Sequence, residues 1–108
     1  MGRIVSTFAS GTKPFISVVG GFTIELPFSL ETEFETKRGR FSVHTVIHGL
    51  NSMTVDFNRS IENMEEVCSK EAIKRIIALS QGEYLISVKS FDALNLVLQK
   101  IEEIIKEE

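Results

Sequence analysis

Residues 22–36 read Phe-Thr-Ile-Glu-Leu-Pro-Phe-Ser-Leu-Glu-Thr-Glu-Phe-Glu-Thr, an alternation without a break. Phe22, Ile24, Leu26, Phe28, Leu30, Thr32, Phe34 and Thr36 share one parity; Thr23, Glu25, Pro27, Ser29, Glu31, Glu33 and Glu35 share the other. Only a pleated strand sends alternate side chains to opposite faces, so the stretch predicts a sheet with one apolar and one acidic face. Pro27 cannot donate to a ladder. It predicts an edge, a bulge or a change of pairing partner, with one neighbour before it and another after.

Outward from this strand the chain keeps the same character up to Phe57, a part that holds seven of the eight phenylalanines. Arg3 to Ala9 and Phe15 to Val19 are β-branched and aromatic, with the loop Ser10-Gly11-Thr12-Lys13-Pro14 between them. Gly20-Gly21 suits a two-residue hairpin, because primed turns need positive φ. Lys37-Arg38-Gly39-Arg40 is the following turn. Read as an Arg-Gly loop or as a four-residue loop, it sets Thr36 opposite Phe41 and Phe34 opposite Val43. A three-residue loop at Gly49-Leu50-Asn51 then sets Ile47 opposite Met53 and Val43 opposite Phe57.

After Phe57 the period changes to that of a helix. Ser60 reads as an N-cap, and Ile61, Met64, Cys68, Ala72, Ile76 and Leu79 form one stripe, with Ser69 able to restart the helix after a break near Cys68. Gly82 stops it, Tyr84-Leu85-Ile86-Ser87-Val88 reads as a buried strand, and Ser90 caps a last helix. That helix presents Phe91, Leu94, Val97, Leu98, Ile101, Ile104 and Ile105 on one face. The strands before and after the first helical stretch would form a right-handed βαβ unit if parallel. The expected fold is α+β: one domain over residues 1–108, with a mainly antiparallel sheet of five or six strands. Its element order is β-β-β-β-β-α-β-α, both helices lying on the apolar face.

Length and composition narrow the function classes. A chain of 108 residues, 43% hydrophobic, supports one core. The net charge of −3 argues against a strongly basic nucleic-acid binder, and the acidic excess lies after Phe57. The one cysteine, Cys68, excludes an intrachain disulfide and a Cys-rich zinc site; on the apolar stripe it reads as a small buried residue. No run is long enough to span a membrane, and the N-terminus lacks the charged and apolar regions of a leader. A cytoplasmic location is the expectation.

The first register has one chemical consequence. It sets Glu33 opposite His44 and His44 opposite Asp56, with Glu31, Glu35, Ser42 and Thr54 around them. Carboxylates on both sides favour the charged imidazolium, which suits acid–base chemistry or a pH-sensitive interface, but charge pairs on an open sheet face are also ordinary. His44 and His48 stand four positions apart on a strand, about 13 Å, too far to share a metal ion. Neither a metal nor a cofactor is expected. Lys37, Arg38 and Arg40 at a hairpin tip have the charge to reach a phosphate. Ser10-Gly11-Thr12-Lys13 lacks the spacing of a phosphate-binding loop.

No nucleophile elbow, dinucleotide fingerprint or helical metal-ligand pair is present. The leading expectation is a non-enzymatic binding or assembly module, a homo-oligomer or small subunit of a larger complex, using the open sheet face or an edge strand. A small acid–base enzyme centred on His44 with Glu33 and Asp56, and an RNA- or phosphate-binding module using the Lys37–Arg40 turn, are the alternatives. Self-association or a protein partner is favoured over nucleic acid, with no membrane.

Overall fold

The structure, a computed structural model, describes residues 3–9 and 27–107. The strands β1 (Arg3–Ala9), β2 (Phe28–Thr36), β3 (Gly39–Gly49), β4 (Ser52–Asp56) and β5 (Leu85–Val88) lie in that spatial order, each antiparallel to its neighbour. Helices α1 (Ile61–Val67) and α2 (Lys70–Ala78) separate β4 from β5, and α3 (Phe91–Lys106) follows β5. The class is α+β. The expected Gly20-Gly21 hairpin, the strand at Phe15 to Val19 and the first part of the long alternation lie outside the described residues.

The alternation decides the two faces of β2 as its chemistry demands. Phe28, Leu30, Thr32, Phe34 and Thr36 are buried, and Ser29, Glu31, Glu33 and Glu35 are half-buried. Pro27 stands immediately before the strand, exposed. From Leu30 to Glu35 β2 pairs with β1 on one side and with β3 on the other, and β3 stays its partner from Phe28 to Thr36, so no change of partner occurs there. A bulge between Ile4 and Ser6 shifts β1 by one residue, which sets Ile4 opposite Phe34 and Thr7 opposite Thr32.

The β2–β3 register departs from expectation by two residues. Thr36 pairs with Gly39, Phe34 with Phe41, Glu33 with Ser42 and Glu31 with His44. The loop is therefore Lys37-Arg38, and Gly39 belongs to the strand. A Cβ built on Gly39 would stand 2.8 Å from Cγ1 of Val67, and its φ of +149° is one that side-chain-bearing residues rarely adopt. The glycine admits the end of α1 against the hairpin. Thr36 completes the junction: its hydroxyl accepts from Arg38 N (3.1 Å) and lies 2.9 Å from Val67 O and 3.1 Å from Gly39 O. A shift of two preserves parity, so the faces stand as expected and the Phe34 and Phe41 rings stack 5.4 Å apart. In the second hairpin Ile47 pairs with Met53, in line with expectation.

The helical stretch is divided. Cys68 is extended, with ψ of 153°, and Ser69 restarts the helix by accepting from Ala72 N at 3.1 Å. Ser60 caps nothing with its side chain; its hydroxyl donates to Ser42 O instead, on the part of β3 that extends past the end of β4. Two helices in place of one explain why β4 and β5 are antiparallel and no βαβ unit forms. A single crossover helix carries the chain to the far end of the sheet, whereas α1 out and α2 back return it to the end it left. There Phe57 N donates to Tyr84 O at 2.9 Å.

Return into β5 passes through a constrained turn. Gln81 and Tyr84 hold φ of +56° and +64°, a region that costs a non-glycine residue about 1–3 kcal/mol. Tyr84 is held there at both ends, donating to Ser80 Oγ at 3.0 Å while its carbonyl accepts from Phe57. The expected buried strand is an edge among the described residues. Leu85 is 44% exposed, Ser87 is exposed, and within β5 only Val88 is buried. A short apolar run reads alike in the middle of a sheet and at its margin, because periodicity carries no information about neighbours.

Core residues of β2, β3, β4, β5 and all three helices form one cluster, with Phe34, Phe41, Phe57, Met64, Ile76 and Ile101 at most 1% exposed. From α3 it takes Leu94, Leu98, Ile101, Ile104 and Ile105, the face the periodicity predicts. The hydroxyls of Thr32 and Thr45 are buried in this core without a hydrogen-bond partner among the described residues. One such hydroxyl costs about 1–3 kcal/mol, comparable to what one buried phenylalanine contributes. Thr32→Val, which keeps the shape and removes the hydroxyl, is expected to raise the unfolding free energy by about 1 kcal/mol in urea titration. Gly39→Ala is expected to lower it by about 1–3 kcal/mol, and an unchanged midpoint would contradict the junction just described.

Candidate functional site

On the face away from the helices, the register sets Glu31, His44, Asp56 and Leu85 in one row across β2 to β5. His44 occupies a step in the sheet. The ladder of β4 on β3 ends at the pair of His44 with Asp56, and beyond it the turn from Phe57 to Ser60, closed by Ser60 N donating to Phe57 O at 3.0 Å, takes over the edge of β3. This turn covers the imidazole. His44 is only 7% exposed although it belongs to the polar parity.

Two side chains hold the ring. Its Nδ1 lies 2.6 Å from Glu31 Oε1, and because a carboxylate only accepts, Nδ1 carries the proton of that bond. Arg59 Nη1 lies 3.2 Å from Nε2 and 3.4 Å from Nδ1. An atom nearly equidistant from both ring nitrogens at this range sits over the ring face, since the in-plane position would collide with Cε1. This guanidinium nitrogen therefore lies over the imidazole face. A substrate would have to displace Arg59 to reach it.

The triad expected at this place is not assembled. Glu33 faces Ser42 and lies 3.5 Å from Arg40 Nη1, while Glu35 lies 3.3 Å from Arg40 Nη2. Asp56 is opposite His44 in register, yet its Oδ1 accepts from Asn58 N at 2.8 Å and from Asn58 Nδ2 at 3.1 Å, holding the turn. The acidic partner of His44 is Glu31, one pair along the strand from Glu33. Sequence reasoning missed Arg59 altogether. It carries no motif, and only the break of pairing after Asp56 brings it over the sheet.

The basic turn is also divided. Lys37 and Arg38 are exposed at the hairpin tip, and Arg40 folds back on Glu33 and Glu35. His48 lies 3.3 Å from Thr54 Oγ1, apart from His44. Among the described residues no three His, Cys, Asp or Glu side chains gather as metal ligands. Cys68 is buried at the α1–α2 break. No described helix is long and apolar enough to cross a membrane.

Comparison with known proteins finds no matching family model, no matching curated protein and no matching solved structure.

The geometry around His44 separates Glu31 from Glu33 by experiment. Glu31→Ala leaves a buried imidazole without its acceptor and is expected to cost about 1–3 kcal/mol, whereas Glu33→Ala removes one exposed ion pair and costs under about 1 kcal/mol. Urea unfolding of the two variants side by side gives the comparison. Equal losses, or the reverse order, would refute the pairing of Glu31 with His44.

Proposed function

We propose that the protein is a non-enzymatic assembly module, acting inside the cytoplasm, that takes up a strand of another chain along the free edge of β5. One observation carries the reading: an apolar strand stands at the margin of the sheet, its outer backbone groups without a partner among the described residues. Phe57 and Tyr84 are joined by a ladder bond, and the register of β4 on β5 repeats that relation at Ile86 and Val88. In an antiparallel pair such positions recur every second residue. The N–H and C=O of Leu85 and Ser87 therefore face away from β4.

This edge has little of what normally blunts one. It contains no charged residue and no proline, and Leu85 adds exposed apolar surface beside exposed Tyr84. Strand addition draws affinity from such main-chain groups and selectivity from alternate side chains. The His44 row supports the non-enzymatic reading, because its imidazole is covered and its expected acid–base partners are engaged elsewhere. Exposed Lys37 and Arg38 alone make a weak case for phosphate, since Arg40 is neutralised by two glutamates.

The reading is tested with Ser87→Pro. Proline removes an N–H that β4 does not use, so the monomer is expected to keep its urea midpoint. Native mass spectrometry of the full chain should show the wild type in a species heavier than one chain, and the variant as a single chain. Leu85→Lys, a charge on the same edge, should act in the same direction. A wild type that is a single chain, or variants that keep the wild-type mass, would overturn the proposal.

A further inference from the structure

Independently of the reading of β5, we infer that Arg59 is a pH-dependent cover on His44, lying over the neutral ring and leaving it when the ring takes up a second proton. The two ring nitrogens have unlike surroundings. Nδ1 lies 2.6 Å from Glu31 Oε1 and keeps its proton against that carboxylate, whereas Nε2 meets only the Arg59 guanidinium, at 3.2 Å, among the described residues. A guanidinium donates and never accepts. The second proton, drawn from solvent, therefore finds no acceptor beyond Nε2 and arrives beside a cation. While the ring is neutral its π face attracts the guanidinium; once it is an imidazolium, the same contact sets two positive charges against each other at 3.2 to 3.4 Å. Imidazole is the side chain whose charge in water changes between pH 5 and 8.

The remaining charges on this face are engaged elsewhere. Besides Glu31 and Arg59, the titratable and charged groups there are Glu33 and Glu35 of β2, Arg40 and His48 of β3 and Asp56 of β4, while β5 places Leu85 and Ser87 on it. Glu33 and Glu35 lie against Arg40, His48 lies 3.3 Å from Thr54 Oγ1, and Asp56 accepts from Asn58. Glu31 is thus the carboxylate that touches the ring. It holds the ring in both states, because Nδ1 donates to it whether or not Nε2 is protonated.

Arg59 is tied to the ring and to no carboxylate among the described residues, and it is exposed, so its withdrawal breaks no ion pair. The turn that carries it is fastened without it. Ser60 N donates to Phe57 O, the Ser60 hydroxyl donates to Ser42 O, and Asn58 donates to Asp56. Withdrawal therefore moves a side chain and leaves the backbone in place. It opens a ring that is 7% exposed and turns its Nε2–H to solvent. Together Glu31, His44 and Arg59 pass from neutral to a single positive charge, and the polar face gains a second cationic donor. A change of charge at one ring thus biases a side chain between two positions.

The test is NMR of the full chain titrated from pH 8 to pH 5. Ring 15N shifts read the protons on His44, and nuclear Overhauser effects between the Arg59 side chain and the ring read the cover. The contacts are expected at pH 8 and should be lost along the same curve on which Nε2 gains its proton, while the backbone amides of Asn58 and Ser60 keep their positions. In Arg59→Gln, which removes the opposing charge at an exposed position, the ring should take up its second proton at a higher pH than in the wild type. In His44→Gln the Arg59 signals should stay constant over the range. Arg59 contacts that persist on the doubly protonated ring, a ring that keeps one proton down to pH 5, or an Arg59→Gln ring that titrates as the wild type does would each overturn the inference. So would loss of the Ser60 amide signal in the same step, since the turn and not the side chain would then be opening.

Discussion

The close approach of Val67 to Gly39 is the constraint on which the rest of the structure hangs. A side chain at position 39 would stand inside contact distance of Val67, and the Thr36 hydroxyl reaches the Val67 carbonyl at the same junction. Placing Gly39 in the strand confines the loop to Lys37-Arg38. That loop sets the β2–β3 register, and the register sets which glutamate meets His44. The same contact anchors the C-terminal end of α1 over the hairpin, while Ser60 ties its start to Ser42. With both ends held, α1 cannot continue as one helix through Ser69. The chain turns at Cys68, α2 returns it, and β5 enters antiparallel at the margin of the sheet.

His44 shows how a step in a sheet converts a surface position into a buried one. β4 is five residues long against eleven in β3, so its ladder stops beside His44. The backbone beyond that point needs other partners, and the turn to Ser60 supplies them. Arg59 arrives as part of that turn and lies across the imidazole. The resulting group of Glu31, His44 and Arg59 joins β2, β3 and the approach to α1. A buried polar group with matched partners favours one arrangement over its neighbours, since slipping the register by two would exchange Glu31 for Glu33 and free Arg40 of its second carboxylate.

Much of the fold was legible because it depends on period alone. The alternation of Phe28 to Thr36 assigns its faces without knowledge of any partner, and the stripe from Leu94 to Ile105 does the same for α3. Ser69 and Ser90 cap helices for a local reason, each accepting from the amide three residues ahead. The candidate site was legible only in part. His44 and its opposition to Asp56 follow from a three-residue loop, but the choice between Glu31 and Glu33 depends on whether Gly39 is a turn residue or a strand residue. Both are ordinary uses of glycine. Val67, twenty-eight positions away, decides between them.

The sequence by itself determined the two faces of the sheet, the core face of α3 and the class of the fold, since these rest on side-chain periodicity and on the tendency of apolar surface to leave water. Tertiary structure alone decided the register of the first hairpin, the cover over His44 and the place of β5 at the edge. Each of these depends on which distant backbone fills a particular space. An apolar run such as Leu85 to Val88 carries the same pattern wherever it lies, and only the return of α2 to the end of β4 placed it at the margin of the described strands.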